Sequence, residues 1–134
     1  MVLPRCSVVA AYLYGGDVTA QPEHRAEELI PRPERTITAL RAALAVVAPD
    51  RLLEMQTEQA EAITKAIDSD TLDPLRGFLL RWAVVVEIER YPATASKLRR
   101  AEYLMQVAAE ADDSRRHALV AAEIVRAAYR ALGT

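Results

Sequence analysis

The sequence is poor in the residues from which catalytic and metal sites are most often built. Its 134 residues include one cysteine, two histidines and four glycines. The lone Cys6 excludes an internal disulfide and a zinc site built from cysteines, and a free thiol suits a reducing compartment. His24 and His117 belong to no His-x-x-x-His or Glu-x-x-His pair. We therefore expect no metal, no cofactor and no catalytic residue.

Long apolar runs are also missing. The longest run in the most hydrophobic segment is Trp82 to Val86, well short of the ~20 residues that span a bilayer. Near the N-terminus, Arg5 is the one basic residue before the apolar run Val8 to Tyr14, and the acidic Asp17 follows the run. This arrangement is a poor match to a secretory signal. These features predict a cytoplasmic protein that does not enter membranes. The net charge of −2 argues against a general affinity for nucleic acid.

Prolines divide the chain into two parts. Four of the seven prolines lie before residue 35, where they leave room for no long helix. We predict a flexible, mostly irregular N-terminal arm at residues 1–34 and a helical domain at residues 35–134. Within the arm, the β-branched and aromatic residues of Val8 to Tyr14 could pair as a strand with a partner.

One helix is predicted between Asp73 and Pro92, with apolar residues on nearly all sides. Asp73 is expected as the N-cap and Pro74 as the first helical residue, and Pro92 prevents continuation. Trp82 and Phe78 lie on one face and are predicted to be core. The opposite apolar face includes Leu80, Val84 and Ile88. This second face is covered either by the rest of the bundle or by another subunit, so we take its three residues as candidate interaction residues.

Four further helices are predicted around the central one. Thr36 is expected to cap the first, which Pro49 ends, and Thr94 is expected to cap the fourth. The second runs from about Asp50 to Ile67, with Asp68-Ser69-Asp70 after it, and the fifth starts near Asp112. The inward side of the second helix is predicted to contain Leu52, Met55, Gln59, Ile63 and Ala66. The fold class is therefore all-α, a compact bundle of about five helices with a flexible N-terminal arm.

Charged side chains are predicted to cover the outer faces of these helices. Arg76, Arg81 and Glu87 form narrow seams on the central helix. On the second helix, Glu54, Glu58 and Glu61 form an acidic cluster, which we interpret as ionised and exposed rather than catalytic. On the fifth helix, the basic residues Arg115, Arg126 and Arg130 could meet phosphate or an acidic protein.

Two blocks carry a resemblance to a known family. Ile37 to Leu44 (ITALRAAL) and Leu72 to Glu89 (LDPLRGFLLRWAVVVEIE) resemble a family of short, uncharacterised helical proteins from high-GC bacteria, a domain of unknown function. The similarity covers roughly residues 34–110. It implies an antitoxin-like role within small toxin–antitoxin modules, and no binding residue is implied with it.

These observations favour a non-enzymatic, antitoxin-like adaptor that binds a protein partner or a second copy through helical surfaces. The reason is an excess of apolar surface for a chain of this length, together with an arm that has no core of its own. The alternative is a dimeric DNA-binding regulator that uses the basic face of the C-terminal helix. An enzyme is disfavoured because no nucleophile, base and orienting group occur together.

Overall fold

The computed structural model describes residues 27–133, which form five α-helices and one 3₁₀ turn. The helices are α1 (Ile37–Val47), α2 (Leu52–Ser69), α3 (Asp73–Glu89), α4 (Pro92–Val107) and α5 (Ala111–Ala131), with the 3₁₀ turn at Pro49–Arg51. No strand occurs within residues 27–133, and the prediction of an all-α bundle is confirmed. The predictions made for Cys6, Val8 to Tyr14 and His24 lie outside the described residues.

The ends of the helices agree with the predictions at some positions and differ at others. Thr36 caps α1 as predicted, since its Oγ1 accepts a hydrogen bond from the Ala39 N–H at 3.1 Å. Asp73 is the first residue of α3 and not its cap, which is Leu72, and the Asp73 carboxylate pairs with Arg76 at 3.0 Å. Thr94 does not cap α4, since the helix already begins at Pro92.

The helix α3 is the centre of the bundle and contacts all four other helices. Its first apolar face packs against α1 and α2, and Trp82 is fully buried there at 0% exposure. The buried core on this side consists of Leu40, Ala43, Leu44, Ala48, Met55, Ala62, Phe78, Trp82, Ala83 and Val86. The predicted burial of Phe78 and Trp82 is confirmed.

The second apolar face of α3 is covered by α4 and α5 of the same chain. Val84 and Ile88 are buried in a cluster with Ala95 of α4 and Ala128 of α5, and Leu80 packs against it. The assignment of Leu80, Val84 and Ile88 as interaction residues is therefore corrected. The two C-terminal helices fold back on α3 and bury Val84 and Ile88, and Leu80 is half-buried beside them.

Residues 27–34 are irregular, and part of this segment is attached to the C-terminal end of α3. The Leu29 N–H donates to the Arg90 carbonyl at 2.8 Å, and Ile30 packs against the core. The Arg32 guanidinium forms two hydrogen bonds with the Glu87 carboxylate, at 2.9 and 3.0 Å. The contacts with the bundle therefore begin before residue 34, the predicted end of the arm.

Glu87 is buried, although the sequence placed it in a seam open to water. Its carboxylate accepts hydrogen bonds from Arg90, which is also buried, and from Arg32. Burial raises the pKa of Glu87, but the hydrogen bonds and positive charges of Arg32 and Arg90 outweigh it, so the pKa lies below its ordinary value. Both Glu87 and Arg90 are charged and buried. Their mutual hydrogen bonds offset the cost of removing the two charges from water.

Candidate functional site

The basic face of α5 is exposed, as predicted, but its arginines are paired with neighbouring carboxylates. Arg115 contacts Asp112 at 2.6 Å, and Glu123 binds both Arg126 at 3.1 Å and Arg130 at 2.8 Å. Hydrogen bonds from Arg130 and Arg126 hold the pKa of Glu123 below its ordinary value. These pairs reduce the positive field that the surface presents to an anionic ligand.

The predicted acidic cluster of α2 is engaged with α3 at two of its three residues. Glu58 accepts hydrogen bonds from Arg81 Nε at 2.7 Å and from Trp82 Nε1 at 2.9 Å, and Glu54 contacts Arg81 at 3.2 Å. The hydrogen bond from Arg81 is the main reason that the pKa of Glu58 is lowered. The interpretation of Glu58 as a free surface charge is therefore wrong, and the carboxylate holds two helices together.

Two guanidinium groups lie over the indole of the buried tryptophan. The Cζ atoms of Arg51 and Arg81 are 5.1 and 5.3 Å from the ring centroid of Trp82. Such contacts are favourable because the ring face carries partial negative charge. A buried tryptophan usually donates a hydrogen bond from its indole N–H. The predicted burial of Trp82 therefore indicated that an acceptor lies nearby, but the sequence did not show that the acceptor is Glu58.

A polar cleft of about 570 Å³ lies where the end of α1 and the 3₁₀ turn meet α3 and α4. Its lining includes Asp50, Arg51, Glu89, Arg99 and Glu102. Arg99 contacts Glu89 at 3.4 Å, so charges of both signs compensate one another. Among the described residues, no serine, threonine, cysteine or histidine lines the cleft, and residues 27–133 contain no group of three or more His, Cys, Asp or Glu side chains able to hold a metal ion.

An apolar groove of about 310 Å³ lies at the other end of the bundle, where α2 ends and α3 begins. It is lined by Ile63, Ala66, Ile67, Asp70, Thr71, Leu72 and Leu75. Ile63, Ile67 and Leu72 are 40%, 73% and 57% exposed. Together they present a concave apolar surface to solvent, and the volume is close to the lower limit of ~300 Å³ for binding pockets. We call this surface the α2–α3 groove.

The α2–α3 groove arises from the orientation of α2. Ile63 was predicted to point inward, but Met55 and Ala62 are the buried residues of this helix, so the inward face is rotated away from Ile63. Glu58, whose carboxylate accepts hydrogen bonds from Arg81 and Trp82, lies on the side of α2 that faces α3. Periodicity alone missed the groove because it placed polar Glu58 outside and apolar Ile63 inside.

The turn between the two helices completes the α2–α3 groove. Asp70 adopts the left-handed conformation, with φ 56°, and its N–H bonds to the carbonyls of Ala66 and Ile67. Thr71 Oγ1 then accepts a hydrogen bond from the Asp73 N–H at 3.3 Å, at the start of α3. This short reversal holds Leu72 beside Ile67 instead of burying it.

Comparisons with known proteins give no relative, since no family model, curated protein or solved structure matches the chain. The resemblance to the helical family from high-GC bacteria therefore stays a prediction. None of the helices within residues 27–133 is long and apolar enough to cross a membrane.

Proposed function

We propose that this chain is a non-enzymatic protein-binding adaptor that receives an apolar segment of a protein partner in the α2–α3 groove. The observation that carries the proposal is the joint exposure of Ile63, Ile67 and Leu72 around one concavity. Exposed apolar side chains that share one site mark interaction surfaces, whereas single ones are common on any protein.

The surroundings of the groove support binding more than chemistry. Its only titratable lining residue is Asp70, and the other six are apolar side chains and a threonine. General acid–base or nucleophilic catalysis requires a suitably activated side chain at the substrate, and among the described residues no titratable neighbour lines the groove beside Asp70 to activate it. Binding through contact of apolar surfaces requires no chemically active side chain.

The finer features of this proposal rest on the sequence. The single cysteine favours a cytoplasmic location, and the family resemblance favours an antitoxin-like role. A homodimer is the second form of the same proposal. It would not use the face of Val84, which α4 and α5 of the same chain cover.

The test compares two positions on α2 that are equally exposed. Ile67 lies in the groove at 73% exposure, and Leu53 lies outside it near the start of the helix at 72%. Ile67→Gln and Leu53→Gln therefore remove similar apolar surface. Tagged wild type and both variants are purified from the native host, and the proteins that accompany them are quantified.

We expect a protein that accompanies wild type and Leu53→Gln but is depleted with Ile67→Gln. Binding to that purified protein should then weaken about tenfold or more for Ile67→Gln, as for an anchor residue of an interface. Equal recovery of every accompanying protein by both variants would contradict the proposal.

A further inference from the structure

One charged side chain, the carboxylate of Asp70, is among the described residues that line the α2–α3 groove. Asp68 lies in the last turn of α2, Asp70 follows the helix and lines the groove, and Asp73 begins α3. Asp73 is paired with Arg76, but neither Asp68 nor Asp70 forms an ion pair within residues 27–133. The acidic rim of the groove is therefore the carboxylate of Asp70, which has no ion-pair partner within residues 27–133.

This acidic rim is unfavourable for the chain itself. The C-terminal end of a helix carries partial negative charge from its unpaired carbonyls, so a carboxylate is disfavoured there and a cation is favoured. The last turn of α2 contains no basic residue. Glycine or asparagine is the usual choice for the left-handed position after a helix, yet Asp70 occupies it with φ 56°. Aspartate tolerates this conformation, so the unfavourable feature is its negative charge at the negative end of the helix.

From the groove and its rim together, we infer that the occupant is a basic amphipathic helix of a partner protein. Its apolar side chains fill the space between Ile63, Ile67 and Leu72, and a lysine or arginine next to them meets the carboxylate of Asp70. Recognition of an amphipathic helix in an apolar groove is a recurrent mode of protein binding. A cation at this position also interacts favourably with the negative end of α2. This inference rests on the proposed protein-binding function and adds the chemistry of the partner.

The probe for this inference is a fluorescein-labelled amphipathic peptide of about 14 residues, or roughly four helical turns, made from leucine and lysine. Matched peptides carry glutamate or glutamine in place of lysine. Fluorescence anisotropy measures their binding to the full-length chain and to four variants. Ile67→Gln and Asp70→Asn alter the groove, and Leu53→Gln and Glu102→Gln are controls that remove equal apolar surface or equal charge elsewhere.

We expect the leucine–lysine peptide to bind about tenfold tighter than the leucine–glutamate peptide. Ile67→Gln should weaken the binding tenfold or more, and Asp70→Asn threefold to tenfold, with both controls within about twofold of wild type. The melting temperature of Asp70→Asn should be unchanged or higher, because asparagine accepts the left-handed conformation and removes the charge from the helix end. A purely structural role of Asp70 would give the opposite shift.

Several results would overturn the inference. These are equal binding of the lysine and glutamate peptides, equal loss of binding in Glu102→Gln and Asp70→Asn, or no binding of any peptide. Sedimentation that shows a wild-type dimer and an Ile67→Gln monomer would assign the groove to a second copy. If the peptides fail while Ile67→Gln still loses a protein in the purification experiment, the proposed function stands and only the basic character of the partner is wrong.

Discussion

The two faces of α3 are packed in different ways, although both are apolar. Towards α1 and α2, the largest fully buried side chains of residues 27–133 lie together, namely Leu40, Leu44, Met55, Trp82 and Val86. Towards α4 and α5, the buried cluster contains Val84, Ile88 and two alanines. The first side encloses the aromatic side chains Phe78 and Trp82, whereas the buried cluster of the second side contains no side chain larger than isoleucine.

The α4–α5 side also extends beyond the bundle. No residue between 102 and 127 is buried, so the far ends of these two helices pack mainly on each other. Two helices alone cannot enclose an apolar stripe, and their stability must come from the part that contacts α3. We therefore expect residues around Trp82 to contribute most to the free energy of unfolding, and residues towards the tip of the hairpin formed by α4 and α5 to contribute least.

The largest effect is expected from Trp82→Ala. The change should lower the free energy of unfolding by ~3–5 kcal/mol, because it removes a fully buried indole and leaves a cavity. Urea denaturation measures the change, and Leu53→Ala serves as an exposed control that should stay within about 0.5 kcal/mol of wild type. An unchanged urea midpoint for Trp82→Ala would show that the α1–α2 side does not dominate stability.

The next effect concerns Glu87, which ties the segment before α1 to the end of α3. Glu87→Gln should cost ~3 kcal/mol, the lower end for a broken buried ion pair, since Arg32 is partly exposed. The pKa of Glu87 is lowered, so its contribution is complete above the ordinary carboxyl pKa of 4.5 and is lost as the pH falls through the lower folded-state value. Wild type should therefore lose stability in acid more steeply than Glu87→Gln, and equal slopes in pH-dependent urea melts would contradict this assignment.

A smaller effect is expected in the α4–α5 hairpin. Ile124 is half-buried, so Ile124→Ala should cost ~1–2 kcal/mol, below the ~2–5 kcal/mol expected for Leu44→Ala in the main core. Native-state hydrogen exchange should show amides of residues 102–127 opening locally, while amides of α3 exchange only on global unfolding. Equal protection of α3 and the hairpin tip would remove the contrast between the two sides.

The smallest effect on folding should come from the basic face of α5. The triple change of Arg115, Arg126 and Arg130 to Glu should preserve helicity in far-UV circular dichroism, because all three side chains are exposed. Affinity for a protein partner should fall tenfold or less, as for charges at the rim of an interface. Tight, salt-dependent binding of duplex DNA by the wild-type protein would instead support the regulator alternative.

Local sequence signals were sufficient for the helices and most of their ends. Thr36 offers a side-chain oxygen that caps α1, and Pro92 cannot continue α3, so both boundaries depend on neighbours in sequence. The apolar character of α3 on nearly all sides likewise predicted a central helix without knowledge of its partners.

Tertiary structure decided the features that determine the candidate site. The sequence left open whether Val84 faced its own bundle or another subunit, and the return of α4 and α5 onto α3 settled it. Helical periodicity placed Ile63 inside and Glu58 outside, but the indole N–H of Trp82 and the guanidinium of Arg81 bind Glu58, and Ile63 is 40% exposed. Hydrogen bonds between residues 23 or 24 positions apart have no signature in local periodicity, so the α2–α3 groove they leave exposed is visible only in the folded chain.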